Sequence, residues 1–315
     1  MKMYSASFLV WLLYFYLNFE KGNSQDSSPG ARANAMCEIY TANAKKNNIC
    51  PISNLNPIIS RAVPAETGEF PHMVEIGYKI DNDTEWYCSG FIISKNDVLT
   101  ATNCALYRRG IDLYLTEKVI RAGVTDQKDL SNAQIRNIKS IIFHAEYERH
   151  VKNDIALIKV KEDFIFNKFV GPVCLYTNEN NPDGKGIQTG WGPISSIQQP
   201  QQMLKFFVYF ITDHSCINTV VQNTNREAEG ILNGTLVCAG GNPNIDYCQV
   251  DATGPLHINR SDSTGSNCMY DIVGIQSLGA SCGISQALPS VFTKISHYIQ
   301  WIEDKVWPEN EIENS

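Results

Sequence analysis

The chain has 315 residues, 43% of them apolar and 19% charged, with a net charge of -7. That is enough apolar material for one large core plus a short extension. The acidic balance argues against nucleic acid or an anionic membrane surface as partner, because both reward basic patches.

At the start of the chain, Lys2 precedes an apolar run from Phe8 to Leu17 and the small-residue stretch Gly22-Asn23-Ser24. This is the layout of a secretory signal peptide cleaved near Gln25. The run is short for a transmembrane helix and no later stretch reaches the ~20 apolar residues a span needs, so a soluble, secreted, extracellular protein without a membrane span is expected. Ten cysteines, an even count, favour full pairing in such a compartment. Residues 25 to 36 are polar and rich in Ser, Gly and Ala, which predicts a flexible segment. From Cys37 to Pro57 the chain carries too little apolar material for a core of its own, so its cysteines must tether it.

From Ile58 onward, short β-branched and aromatic runs alternate with Gly, Pro, Asn and Asp. Val74–Tyr78, Phe91–Ile93, Ile141–Phe143, Phe206–Phe210 and Ile272–Ile275 are predicted strands, and their number and spacing predict an all-β sandwich or barrel. Ile295–Ile302 changes to helical spacing, and Pro308 ends the helix. Asn82, Asn233 and Asn259 open N-glycosylation sequons. No cysteine pair has Cys-x-x-Cys spacing, and His72, His144, His150, His214, His257 and His297 lack ligand spacing. These histidines read as surface or packing residues, and neither a metal nor a cofactor is expected.

Three segments point to a chemistry and to its loss. Cys248-Gln249-Val250-Asp251-Ala252-Thr253-Gly254-Pro255-Leu256 resembles the Cys-Gln-Gly-Asp-Ser-Gly-Gly-Pro-Leu signature of trypsin-like serine proteases, with Ala252 in the place of the nucleophile. Val98-Leu99-Thr100-Ala101-Thr102-Asn103-Cys104 is similar to the family's Val-Leu-Thr-Ala-Ala-His-Cys, with Asn103 in the place of the general base. Asn153-Asp154-Ile155-Ala156-Leu157 keeps the aspartate. A methyl group cannot attack a carbonyl, and an amide neither takes nor returns the proton that acyl transfer requires. Gly68-Glu69-Phe70-Pro71-His72-Met73, Gly190-Trp191-Gly192 and Pro289-Ser290-Val291-Phe292-Thr293 extend the resemblance over roughly residues 58 to 305. With Met36-Cys37-Glu38-Ile39-Tyr40 and a second cysteine before the activation region, the chain most resembles the snake-like branch of insect serine proteases, and so a homologue of the snake-like or venom type.

The resemblance implies two packed six-stranded antiparallel β-barrels and a closing helix. The implied division is a signal peptide at 1–24, a disulfide-tethered pro-segment at 25–57 and a protease-like domain at 58–315. It implies the bridges Cys88–Cys104, Cys216–Cys238 and Cys248–Cys282, then Cys50–Cys174, leaving Cys37 for Cys268. Asp246, with Gly279, marks the family's specificity pocket for Lys or Arg, which Tyr247 and Ser290 are expected to narrow. Val250 and Thr253 replace glycines of the oxyanion loop, where β-branched residues resist the geometry that glycine allows; Thr253, without a base, reads as a structural hydroxyl. Pro57, not Arg or Lys, precedes Ile58, so Asp251 reads as a structural acid in a zymogen-like loop in preference to the ion-pair partner of a freed terminus. Because triad members act as a unit, the leading reading is a secreted pseudoprotease that binds an extracellular protein (a protease, zymogen or inhibitor) in an immune cascade or a venom or saliva. The alternatives are an endopeptidase of unusual residual activity and a carrier or structural protein using an exterior surface.

Overall fold

The computed structural model describes residues 28–50, 62–81, 83–106, 117–148, 152–192, 201–224, 233–240, 254–260, 268–278 and 289–309. In chain order these form α1 (Ala31–Lys46), β1 (Val63–Pro64), β2 (Met73–Ile80), β3 (Asp83–Ile92), β4 (Asp97–Thr100), α2 (Thr102–Ala105), β5 (Lys118–Ala122), β6 (Gln134–Phe143), β7 (Ala156–Val160) and β8 (Cys174–Leu175). There follow β9 (Lys185–Gly190), β10 (Leu204–Ile211), α3 (Asp213–Thr224), β11 (Leu236–Gly240), β12 (Pro255–Arg260), β13 (Met269–Leu278), β14 (Ser290–Lys294), a 3-10 turn (Ile295–Tyr298) and α4 (Ile299–Val306).

Strands β2-β3-β4-β7-β6-β5 close into one antiparallel barrel. The second runs β10-β11-β14-β13-β12-β9 and closes where β10 pairs β9, with short β1 and β8 added at its margins. Each barrel is filled by β-branched and aliphatic side chains from alternate positions, which is what a pleated, closed sheet demands: Val74, Ile76, Ile92, Val98, Ile120 and Ile158 in the first, and Val208, Val237, Leu256, Val273 and Phe292 in the second. A third cluster cements the barrels to each other and to α4, through Phe91, Leu157, Met203, Ile275, Ile299 and Ile302. The two-barrel architecture is thus as the resemblance implied, and all five strand segments read from the sequence lie in or at the end of strands.

Three expectations change. Residues 31–36, read as flexible, are the first turns of α1. Its buried face is made of small residues, Ala33, Cys37 and Ala44, so it carried little hydrophobic signal, while alanine is the best helix former. Gly30 opens the helix at φ 94°, a left-handed backbone suited to glycine. The buried Glu303 carboxylate of α4 then accepts from the Gly30 and Ala33 amides at 3.1 and 2.8 Å. Arg32 reinforces the contact with α4 by donating to Asp304 at 2.6 Å and to the Trp307 carbonyl at 3.0 Å.

Placing α1 against β8 also corrects two bridges. Cys37 bonds Cys174 and Cys50 bonds Cys268, the reverse of the pairing implied by resemblance. Cys37 lies mid-helix, on the face that packs on β8 where Cys174 sits, while Cys50 follows the helix end and reaches the start of β13. Cys88–Cys104 and Cys216–Cys238 are as implied; Cys248 and Cys282 lie outside the described residues. The C-terminal helix is a smaller correction: the stretch from Ile295 begins as a 3-10 turn and becomes α-helical at Ile299.

Candidate functional site

Strand pairing brings the site's two described candidates together. β4 and β7 run antiparallel with Thr100 opposite Ala156, so the residues after β4 and before β7 meet at one barrel end. There the short helix α2 is held by the Cys88–Cys104 bridge to β3 and by Thr102, whose hydroxyl donates to the Ile155 carbonyl at 2.8 Å. Asn103 therefore faces Asp154. Its backbone amide donates to Asp154 Oδ1 at 2.9 Å and its side-chain Nδ2 to Oδ2 at 2.8 Å.

The second barrel completes the pocket around this carboxylate. Ser277 of β13 donates its hydroxyl to Asp154 Oδ2 at 2.6 Å, and Thr293 of β14 donates to the Asp154 carbonyl at 3.0 Å. Asp154 is fully buried, and burial raises its pKa against the lowering effect of the hydrogen bonds from Ser277 and Asn103. The preceding Asn153 sits at φ 55°. Its side chain is fixed at both ends, donating to the Glu146 carbonyl at 2.7 Å and accepting from the Tyr298 hydroxyl at 2.8 Å.

The other end of the Asn103 amide is also occupied. Tyr147 donates its hydroxyl to Asn103 Oδ1 at 2.8 Å. The carboxylate fixes the amide orientation, since it only accepts; Oδ1 is thereby turned to Tyr147, whose hydroxyl donates to it. Asn103 is thereby a bridge between a buried acid and a surface phenol, with no basic lone pair to offer.

The family model described as trypsin matches residues 59–302. The chain belongs to the trypsin family. Among relatives, it is 32% identical over 256 residues to phenoloxidase-activating factor 3 of Holotrichia diomphalia, covering 76% of this chain and 70% of that protein. It is 30% identical over 301 residues to CLIP domain-containing serine protease HP8 of Bombyx mori, covering 89% and 76%, and 29% identical over 256 residues to serine protease snk of Drosophila melanogaster, covering 78% and 56%.

The remaining trypsin-family site positions divide by what is described. Ser290, half-buried, begins β14 and pairs with Ala239. Asp246, Tyr247, Val250, Asp251, Ala252 and Gly279 lie outside the described residues, as does the segment at Pro57 and Ile58. Gly254, after the degenerate signature, is required by close approach: a Cβ there would stand 2.3 Å from the Thr189 carbonyl oxygen. Among the sequons, Asn233 is exposed in a turn, whereas Asn259 is half-buried within β12 with its carboxamide oxygen enclosed; Asn82 is outside the described residues.

Sequence reasoning passed over Ser277, Tyr147 and Tyr298. Ser277 follows Gln276 at the end of a mostly apolar strand run, and only the packing of one barrel on the other reveals its partner. The histidines separate into three environments. His72 and His257 form a buried pair between the barrels, Nε2 to Nε2 at 2.8 Å, while His144 and His297 pack against Tyr298. His214 lies 3.3 Å from the Asn218 amide nitrogen, and His150 is outside the described residues. Cys37, Cys174 and Asp271 lie together, but the two sulfurs are bonded to each other and have no thiolate to give a metal. No helix among the described residues is long and apolar enough to cross a membrane.

Proposed function

We propose that this member of the trypsin family is a secreted, non-catalytic serine protease homologue that acts by binding another protein of an extracellular protease cascade. The observation that carries the reading is the commitment of Asn103: where the resemblance places a general base, an amide donates to Asp154 and accepts from Tyr147. With Ala252 in the place of the nucleophile, neither proton abstraction nor acyl-enzyme formation has an agent. The apolar N-terminal run, the sequons and four described disulfides support an oxidising, extracellular setting. A relative named for activating phenoloxidase supports a cascade of the immune kind. Pro-segment 25–57 would then be a permanent light chain, held by Cys37–Cys174 and Cys50–Cys268 and outlasting any cut between residues 50 and 62.

The deciding measurement is exposure of purified protein to a fluorophosphonate probe and to peptide esters. Neither labelling nor turnover above an Ala252→Gly control is expected; labelling that heat abolishes and Ala252→Gly removes overturns the reading. Asn103→His with Ala252→Ser should recover little activity, because Val250 and Thr253 still occupy the oxyanion loop.

A further inference from the structure

Asn233 is the one asparagine of the chain that a glycine follows. It is exposed, and with Gly234 it forms the turn that leads into β11. Gly234 sits at φ 70°, and a Cβ built on it would meet nothing within 4 Å. The Asn233–Gly234 peptide is therefore open on both sides: among the described residues, none takes a hydrogen bond from the Gly234 N–H and none engages the Asn233 carboxamide. The first fixed point comes one residue later, where the Thr235 carbonyl accepts from the Lys294 amide at 2.9 Å, and from Leu236 onward β11 pairs with β14.

This arrangement suits an attack within the chain. For an imide ring to close, the backbone must turn so that the nitrogen of the following residue comes over the asparagine Cγ, and that peptide must leave its preferred plane. A side chain on the following residue hinders the approach, and a glycine does not. Other asparagines lack both conditions. Asn103 and Asn153 have both ends of their amides engaged, Asn47 donates to the Asn43 carbonyl at 2.9 Å, and Asn167 accepts from the Phe169 and Val170 amides. Each of these is followed by a residue that carries a Cβ.

We propose that Asn233 is a site of spontaneous covalent modification, converted through an imide with Gly234 into a mixture of aspartate and isoaspartate. The Gly234 nitrogen bonds to Asn233 Cγ, the Cγ–Nδ2 bond breaks, and Nδ2 leaves as ammonia with the proton that the Gly234 nitrogen gave up. Water then opens the ring. Breaking the new bond from nitrogen to Cγ leaves aspartate, whereas breaking the bond from nitrogen to the main-chain carbonyl carbon leaves isoaspartate, whose backbone runs through the former side chain. No oxidant or cofactor enters this balance. Either product puts a carboxylate in place of the amide and removes the acceptor of the sequon Asn233-Gly234-Thr235. A glycan on Nδ2 would block the departure of ammonia, so the two fates exclude each other, and conversion belongs to the chain that carries no sugar there.

The test incubates the unglycosylated, disulfide-intact full chain in mildly alkaline buffer and maps its peptides after reduction, with isoaspartyl methyltransferase and a labelled methyl donor to count isoaspartate. Asn233 should gain the mass of an amide-to-acid exchange ahead of Asn103, Asn153, Asn47 and Asn167, and its peptide should accept the methyl label. Gly234→Ala should slow the conversion several-fold. Alanine is strained at φ 70°, so Asn233→Gln, which would have to close a larger ring and should abolish the label in that peptide, carries the test should the alanine variant fail to fold. Conversion no faster at Asn233 than at Asn103 or Asn153, an equal rate in folded Gly234→Ala, or methyl label persisting in that peptide of Asn233→Gln would each overturn the proposal.

Discussion

At the scale of single residues, the Asn103 amide is a structural member more than a chemical one. Asp154 is buried with no water route evident from its exposure, and its Oδ2 is served by two donors, Asn103 Nδ2 and Ser277 Oγ. Losing either should cost about 1.5–3 kcal/mol, as for a hydrogen bond to a charged acceptor. Losing both leaves Oδ2 without a donor, so a double-mutant cycle of Asn103→Ala and Ser277→Ala should be non-additive, the pair costing more than the sum. Denaturant unfolding of the four proteins reads this directly, and strict additivity would show that solvent reaches the carboxylate. At this position a neutral amide makes the contact to Asp154 without a proton to exchange.

Among elements, α1 is the one that changes the picture of the chain. Its stability comes from contacts across 270 or more positions of sequence, since Gly30 and Ala33 donate to Glu303. Glu303→Ala would leave two buried amides without an acceptor and should lower stability by about 2 kcal/mol, with faster amide exchange concentrated in Ala31–Tyr40. Glu303→Gln, which keeps one acceptor oxygen, should lose less. Cleavage between residues 50 and 62 should leave a two-chain product that separates only after reduction; release without reductant would exclude both tethers. Peptide mapping should give Cys37 with Cys174 and Cys50 with Cys268, bridges that stabilise by roughly 2–4 kcal/mol each in typical cases. This element also marks where the sequence stops being legible. The strands could be read because Val, Ile and Phe recur beside turn residues, and Asn103 and Asp154 could be picked out because their flanking motifs are local; Ala252 lies outside the described residues. Helix α1 buries alanine and cysteine in place of leucine, and its cap is a glutamate near the other end of the chain. Ser277 and Tyr147 were hidden for the same reason: their partners are set by barrel packing, which no local pattern encodes.

Over the whole molecule, the His72–His257 pair joins the barrels, since His72 leads into β2 of the first and His257 lies in β12 of the second. Both rings are buried among Phe70 and Tyr270, and burial lowers both pKa values, that of His257 to about 4 and that of His72 well below its usual value, aided by its neighbour. In the unfolded chain each ring takes its proton near pH ~6.5. Above that pH neither state binds these protons and stability does not depend on them. As pH falls from about 6.5 toward 4, the unfolded chain binds protons that the folded protein refuses, so stability falls, by up to about 1.4 kcal/mol per pH unit for each ring. The buried acids Glu75, Asp154 and Asp271 act in the opposite direction, because burial raises their pKa values; that opposition begins at their ordinary values of 4.5 and 3.8 and runs upward to the raised ones. His144 and His297 have the same sign as the buried pair, being lowered by partial burial, so the slope cannot be assigned without a variant. His257→Gln removes one buried titration while keeping a side chain that can donate to Ile187. Urea unfolding between pH 5 and 7 should therefore show the native slope reduced in that variant. An identical slope in both proteins would mean that the pair is protonated in the folded state, and that the barrel junction accommodates a charge there.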